Sequence, residues 1–273
     1  MISYPQIDPV IIKIGPLALR WYGLMYLLGF VASYFLVRKQ INEDVIYGKI
    51  RNEQEEKDIL DGIVVALVAG VVIGGRLGYV LFYNLPYFLK HPFEIIATWH
   101  GGMSFHGGAL GVFIAGWLYC KKHNADFFKW SDRFCVTVPI GLGLGRVGNF
   151  INGELFGRPT DLPWAMIFPD GGLVPRHPSQ LYEAFFEGVV LFCILWPLRK
   201  KNWPHGTLTS LFFIFYALFR FFLEFFREPD PQLGFIAFGW LTMGQLLSIV
   251  IFVFGIFIFF ITKKKQGALG GTQ

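Results

Sequence analysis

The residues best suited to chemistry lie in one run, Gly145-Arg146-Val147-Gly148-Asn149-Phe150-Ile151-Asn152-Gly153-Glu154-Leu155-Phe156-Gly157. It leaves a hydrophobic segment and enters a Gly/Pro-rich one, presenting a guanidinium, two amides and a carboxylate on the way. Arginine with flanking amides is a planar set of donors suited to phosphate. Four glycines in these thirteen residues let backbone approach backbone or a ligand closely. An arginine near the centre of a bilayer is unfavourable by about 2.5–3.5 kcal/mol on the mild insertion scale, which makes Arg146 a candidate for function. The plainer alternative is that Arg146 snorkels to the interface or pairs with Glu154 to hold a loop.

A second polar stripe comprises Tyr216, Arg220 and Glu224 at spacings of four, with Arg227 one turn further. On a helix these share one face. Eight phenylalanines surround them between 212 and 226. Unpaired charge in such a setting is unfavourable, so the stripe needs partners. The structural alternative is an Arg220–Glu224 pair that only locks helices together. His106 stands between two glycine pairs at an expected helix start, where it either takes a proton or is a satisfied core histidine. Tyr22 and Tyr26 share a face of the first helix, and an interfacial aromatic belt accounts for either. Arg76 lies inside the second helix, as a partner for a carboxylate or as a direct contact to substrate. No carboxylate/histidine cluster has metal spacing. Cys120, Cys135 and Cys193 show neither CxxC nor metal spacing and read as small buried apolar residues. Gly141-x-Gly143-x-Gly145 is no dinucleotide fingerprint, because no strand precedes it and no ribose-binding acid follows.

These residues must be positioned by membrane helices. The chain has 273 residues, 54% apolar, 18% aromatic and only 16% charged, with 31 phenylalanines. Its mean hydropathy is +0.49. Soluble domains carry about 25% charged residues. The composition therefore predicts an all-α, polytopic integral membrane protein, one transmembrane domain over 1–273. The net charge of +5 comes from loop lysines and arginines beside apolar spans, which excludes a nucleic-acid surface. No cleavable signal peptide is expected, since the first apolar run begins near Trp21 after a polar arm with Pro5, Asp8, Pro9 and Pro16.

About seven transmembrane helices are expected. Residues 1–18 form an interfacial arm, and 19–37 the first span. Residues 38–58 are highly charged and read as a solvated loop or short surface helix. The second span, 60–82, carries Gly70, Gly74 and Gly78, the close-packing period of membrane helices. A loop over 83–98 holds Pro86 and Pro92, and 99–108 leads into a third span ending near Tyr119. The fourth covers 133–150, followed by a loop at 151–177. The fifth starts after Pro178, with Ser179 as its expected N-cap and Glu183 in its first turns. The sixth covers 206–226 and the seventh 238–261. Basic residues set the orientation. One group of loops holds Arg38, Lys39, Lys49, Arg51, Lys57, Lys121, Lys122, Lys129, Arg199, Lys200, Lys201 and Lys263 to Lys265; the other holds Lys13, Lys90, Arg158 and Arg176. The first group is thus expected in the cytoplasm, with the N-terminus outside, the C-terminus inside and loop 151–177 extracytoplasmic.

The 145–157 run resembles the signature of the bacterial prolipoprotein diacylglyceryl transferases, G-R-x-G-N-F-x-N-x-E-x-x-G, and meets every fixed position. The resemblance extends along nearly the whole chain. It takes in Trp21-Tyr22-Gly23, GGMSFHGG at 101–108, HPSQLYE at 177–183, and Y-x-x-x-R-x-x-x-E at Tyr216, Arg220 and Glu224. It implies transfer of a diacylglyceryl group from phosphatidylglycerol to the lipobox cysteine thiol of a prolipoprotein, the first step of lipoprotein maturation. The setting it implies is the bacterial cytoplasmic (inner) membrane with the site towards the outer face. The residues it marks are Tyr22, His106, Arg146, Asn149, Glu154, Gly157, Tyr216, Arg220 and Glu224. No cofactor, metal or nucleic acid is implied; the partners are the phospholipid, the prolipoprotein and the bilayer.

The residue types suit that chemistry. A thiol must displace glycerol phosphate from a glycerol carbon, and two arginines can hold the departing anion in a dry site. His106 could take the thiol proton or orient the lipid; Glu154 and Glu224 could orient the arginines or act as base. Other classes fit less well. A transporter should show repeat-related broken helices, and none appears. A phospholipase needs an activated serine or a metal; Ser104 lies two residues from His106, but no acid completes a triad.

Overall fold

A computed structural model describes residues 2–15, 17–48, 50, 52–97, 101–229 and 234–270. Pro16, Lys49 and Arg51, named above, and the first two residues of the 99–108 stretch lie outside the described residues. In chain order, strands β1 Val10–Ile14 and β2 Leu17–Arg20 precede the helices α1 Trp21–Ile46, α2 Glu53–Tyr83, α3 Leu85–Lys90 and α4 Phe105–Lys122. Then come α5 Phe127–Cys135, α6 Val138–Ile151, α7 Ser179–Glu183, α8 Leu191–Leu198, α9 Thr207–Leu223 and α10 Met243–Gly270. A π-helical segment, Ala184–Val190, joins α7 to α8, so that 179–198 runs on as one helix.

The mostly helical expectation holds, with one addition. The N-terminal arm contains an antiparallel hairpin that pairs Lys13 with Ala18. Among the described residues, four helices are long and apolar enough to cross a membrane: Trp21–Ile46, Glu53–Tyr83, Ser179–Leu198 and Met243–Lys264. The pair α5 and α6, bent by 43°, makes a fifth if it counts as one span. Helix α9 is apolar but has 17 residues. At about 1.5 Å per residue it falls short of a core of about 30 Å.

Several boundaries differ from the sequence reading. The charged stretch 38–58 is mostly helix, because α1 continues to Ile46 and α2 starts at Glu53. Hydropathy marks where lipid would end, not where a helix must; lysine, arginine and glutamate are good helix formers. Asn52 caps α2 by accepting from the Glu55 amide, and Glu53, Glu55 and Glu56 suit its positive end. Ser179 is not the N-cap of α7. Pro178 takes that place, and the Ser179 hydroxyl donates to the Leu155 carbonyl at 3.1 Å. Pro86 and Pro92 lie in α3 and in a short 3-10 turn, not in open loop.

The chain forms two compact units, one of Met1–Leu36 with Ser131–Gln273, the other Val37–Trp130. In the second unit, α2 and α4 meet through glycine. A Cβ on Gly74 would stand 2.4 Å from the Gly107 carbonyl oxygen, and one on Gly70 2.5 Å from that of Gly111. The four-residue glycine period is thus a helix-contact stripe. In the first unit, the α5–α6 bend is fixed by Thr137, whose hydroxyl donates to the Phe134 carbonyl and meets Ser33. Buried Asp132 receives the Gly206 and Thr209 amides and the Thr209 hydroxyl, each at 2.7 Å, and so caps the start of α9. Helix α6 approaches the π-helical segment where Gly143 faces Gly188; a Cβ on Gly188 would lie 2.8 Å from the Gly143 Cα.

Candidate functional site

That glycine contact brings the two charged stripes of the first unit together. Helix α6 supplies Arg146 three residues after Gly143. The helix over 179–198 supplies Glu183 and Glu187, which are 1% and 0% exposed. Helix α9 supplies Tyr216 and Arg220, and Glu224 is its C-cap. The Glu183 carboxylate joins the helices: one oxygen lies 2.7 Å from Arg146 Nε and the other accepts from Arg220 at 2.9 Å. Glu187 faces the same two arginines at 3.7 and 4.0 Å. Arg220 also pairs with Glu224 at 2.7 Å, and Arg227 approaches Glu183 at 3.9 Å. Tyr216 stacks on Phe212 with ring centroids 5.8 Å apart. The Arg146 and Arg220 side chains stay 20% and 12% exposed while the carboxylates behind them are sealed. An anion could therefore meet two guanidiniums already aligned.

The alternative of an Arg146–Glu154 pair gives way to this arrangement. Glu154 accepts instead from Asn149 at 2.8 Å and Asn152 at 3.1 Å. The reason is position: Glu154 lies beyond the end of α6, whereas Glu183 and Glu187 face Arg146 across the glycine contact. Among the described residues, Glu154 makes no ion pair with either arginine. Buried Asn149 ties Glu154 to the helix end, and Gln180 donates to the Glu154 carbonyl at 2.6 Å. Tyr22 packs against Gly148, where a Cβ would lie 3.0 Å from its ring, and hydrogen-bonds Tyr26 at 3.1 Å.

Gly157 shows why its position has no side chain: a Cβ would stand 2.4 Å from the Phe226 carbonyl oxygen and 2.6 Å from the His177 Cβ. Its amide donates to the His177 carbonyl at 2.8 Å, holding loop 151–177 to the chain just after α9. Arg158 and Arg176 brace the same loop. Arg158 Nε donates to the Arg227 carbonyl at 2.9 Å, and Arg176 pairs with Glu228 at 2.9 Å. Burial pushes the His177 imidazole below its usual range, so it favours the neutral form beside the Tyr182 hydroxyl. The arm also packs on the end of α6. Tyr4 donates to the Phe150 carbonyl at 2.6 Å and lies 3.0 Å from that of Ile151, closing the end of α6. Ile2 donates to the Ala165 carbonyl at 3.1 Å.

Two expected residues belong to the second unit. His106 is the second residue of α4, exposed, and stacks edge-on against Phe105. The Ser104 hydroxyl caps that helix by accepting from the Gly107 amide. Arg76 is buried and has no carboxylate partner among the described residues. Its guanidinium donates to the carbonyls of Glu94, Ile95, Gly101 and Gly102, at 2.6, 2.8, 2.5 and 3.0 Å, so it pins the segment before α4. Cys193, expected to be buried, is exposed, whereas Cys120 is buried.

The sequence reading missed Glu187 and gave Glu183 only a place in a first turn. The signal was present: two carboxylates four residues apart in an apolar span require cationic partners. The fold and this cluster define a polytopic helical membrane protein with a paired-arginine site suited to an anionic headgroup. The family model for prolipoprotein diacylglyceryl transferase matches residues 9–261, and the chain belongs to that family. Similar proteins carry the name phosphatidylglycerol–prolipoprotein diacylglyceryl transferase. That of Desulfotalea psychrophila is 53% identical, covering 97% of each chain. That of Geobacter sulfurreducens is 50% identical over 97% of this chain and 98% of its own. That of Pseudomonas paraeruginosa is 48% identical over 98% of both.

Proposed function

We propose that this chain transfers the diacylglyceryl group of phosphatidylglycerol to the lipobox cysteine of prolipoproteins, forming a thioether and releasing glycerol phosphate. The observation that carries this reading is the pair Arg146 and Arg220, fixed side by side on Glu183 with both side chains partly exposed. They hold the phosphate, and they stabilise it as the carbon–oxygen bond breaks and charge builds on the departing oxygen. The incoming thiol ionises near pH 8.5 in water, and positive neighbours lower that value. His106 takes the thiol proton or orients the lipid, a role that rests on the family motif. Tyr22, Asn149 and Glu154 shape the approach to Arg146, while Tyr216 and Glu224 set the position of Arg220. Gly157 keeps the signature loop close to the end of α9, and Arg76 contributes through the segment it pins. In the membrane, α4 and the short α9 complete about seven spans of one catalytic domain. The N-terminus is outside, the C-terminus is cytoplasmic, and the site faces the outer side of a bacterial cytoplasmic (inner) membrane.

The test uses headgroup-labelled phosphatidylglycerol, a cysteine-bearing prolipoprotein peptide and oxygen-18 water. Label should leave as glycerol phosphate only with the peptide present, in equal amount to modified peptide and without oxygen-18. Release of fatty acid or free glycerol, or equal turnover with a Cys→Ser peptide, would defeat the reading.

A further inference from the structure

Glu187 has no part in the chemistry above, yet it lies behind both arginines. Its side chain is 0% exposed, and neither oxygen accepts a hydrogen bond among the described residues. Each oxygen faces a different guanidinium, at 3.7 and 4.0 Å. Glu183 already holds the same two groups at 2.7 and 2.9 Å. The second carboxylate therefore adds charge to the site and little geometry. A neutral side chain of equal size would fill the space without burying unsatisfied oxygens, which are themselves destabilising.

The charge can be counted. Arg146, Arg220 and Arg227 stand against Glu183, Glu187 and Glu224, so the cluster is neutral with Glu187 ionised and carries one positive charge without it. In the proposed reaction, sulfur bonds to the glycerol carbon. The carbon–oxygen bond to phosphate breaks with its electron pair left on oxygen, and the thiol proton passes to a base such as His106 or to water. A phosphodiester with one negative charge becomes a phosphate monoester carrying close to two near neutral pH. A cationic pocket would grip that product more tightly than the substrate.

Resting on the reading that Arg146 and Arg220 hold the lipid phosphate, we infer that Glu187 balances the charge of this pocket so that the singly charged diester is bound and the more highly charged product is let go. Glu187 acts through the arginines and touches neither reactant.

The experiment measures inhibition of the full-length protein in phosphatidylglycerol nanodiscs by glycerol phosphate and by the diester glycerophosphoglycerol. In the unaltered protein the diester should inhibit at lower concentration than the monoester; the reverse order overturns the inference. In Glu187→Gln the inhibition constant for glycerol phosphate should fall about tenfold or more, the scale on which one charge at about 4–6 Å shifts an ionisation. Turnover and KM should fall together as product release slows. Glu187→Asp should restore the original constant. A merely structural role would weaken inhibition or leave it unchanged, and either result in folded Glu187→Gln overturns the inference, as does failure of Glu187→Asp to restore it. If neither anion competes with phosphatidylglycerol, or if Arg220→Lys alters neither constant, the phosphate-holding reading fails and takes this inference with it. Anions that compete through Arg220 but bind no tighter to Glu187→Gln defeat only the role of Glu187.

Discussion

Arg146 reaches Glu183 through Nε, which leaves its two terminal nitrogens for other partners. A lysine could keep the ion pair but would have no planar fork left for a phosphate. Arg146→Lys should therefore reduce turnover by on the order of 10²–10³ while the protein stays folded, the usual loss when a stabiliser of developing charge is removed. Steady-state rates beside a thermal melt check this; near-normal turnover would reduce Arg146 to the counter-ion of Glu183. The protein's own thiols lie outside the cluster, and the nucleophile belongs to the substrate. Replacing Cys120, Cys135 and Cys193 together by serine should thus leave a folded, active protein, whereas lost turnover in a folded triple variant would point to a covalent intermediate. At this scale the sequence was informative wherever charge interrupted an apolar run. Arg146, Arg220 and Glu224 stood out for that reason, and the Arg220–Glu224 pair follows from their spacing. The plainer alternative, an Arg146–Glu154 pair, is not what forms, because nearness in sequence is a poor guide once a helix has ended between two residues.

Between elements, the decisive contact is glycine against glycine. Gly143 and Gly188 let α6 and the π-helical segment approach until Arg146 and Glu183 meet. Gly188→Ala would place a Cβ 2.8 Å from the Gly143 Cα, which backbone can relieve only by moving apart. We expect a loss of about 1–3 kcal/mol in stability, as for other overpacked contacts, with reduced turnover. Gly141→Ala is the control: nothing lies within 4 Å of its added Cβ. It should be neutral or stabilising. Melting temperature and rate measured on both variants decide the matter, and equal behaviour would remove the contact from the account. The Gly70, Gly74 and Gly78 stripe was legible in sequence because a helix contact repeats every four residues. The π-helical turn was not, since its residues are those of any apolar helix and only packing distinguishes the two. The hairpin in the arm was likewise hidden by its prolines, which read as punctuation.

For the whole chain, the lysine/arginine asymmetry predicts the sidedness of the loops. In a cysteine-free background, a single cysteine at Leu173, which is 92% exposed, should react with an impermeant reagent in intact cells, and one at Lys200 should not. The opposite pattern would invert the orientation and move the site to the cytoplasmic face. Composition made the helical membrane class plain, but it left the number of spans open, because a 17-residue apolar helix such as α9 sits at the edge of what crosses a bilayer. The arm bears on how the molecule is made. Tyr4 bonds the carbonyl of Phe150, 146 residues later. At about 5–20 residues per second, a ribosome needs roughly 7–30 s to supply that partner. The arm is therefore made well before the partner that fixes its place. Nascent chains stalled before 150 should leave the arm open to protease, chains stalled well beyond 168 should protect it, and early protection would mean that the arm has another partner during synthesis.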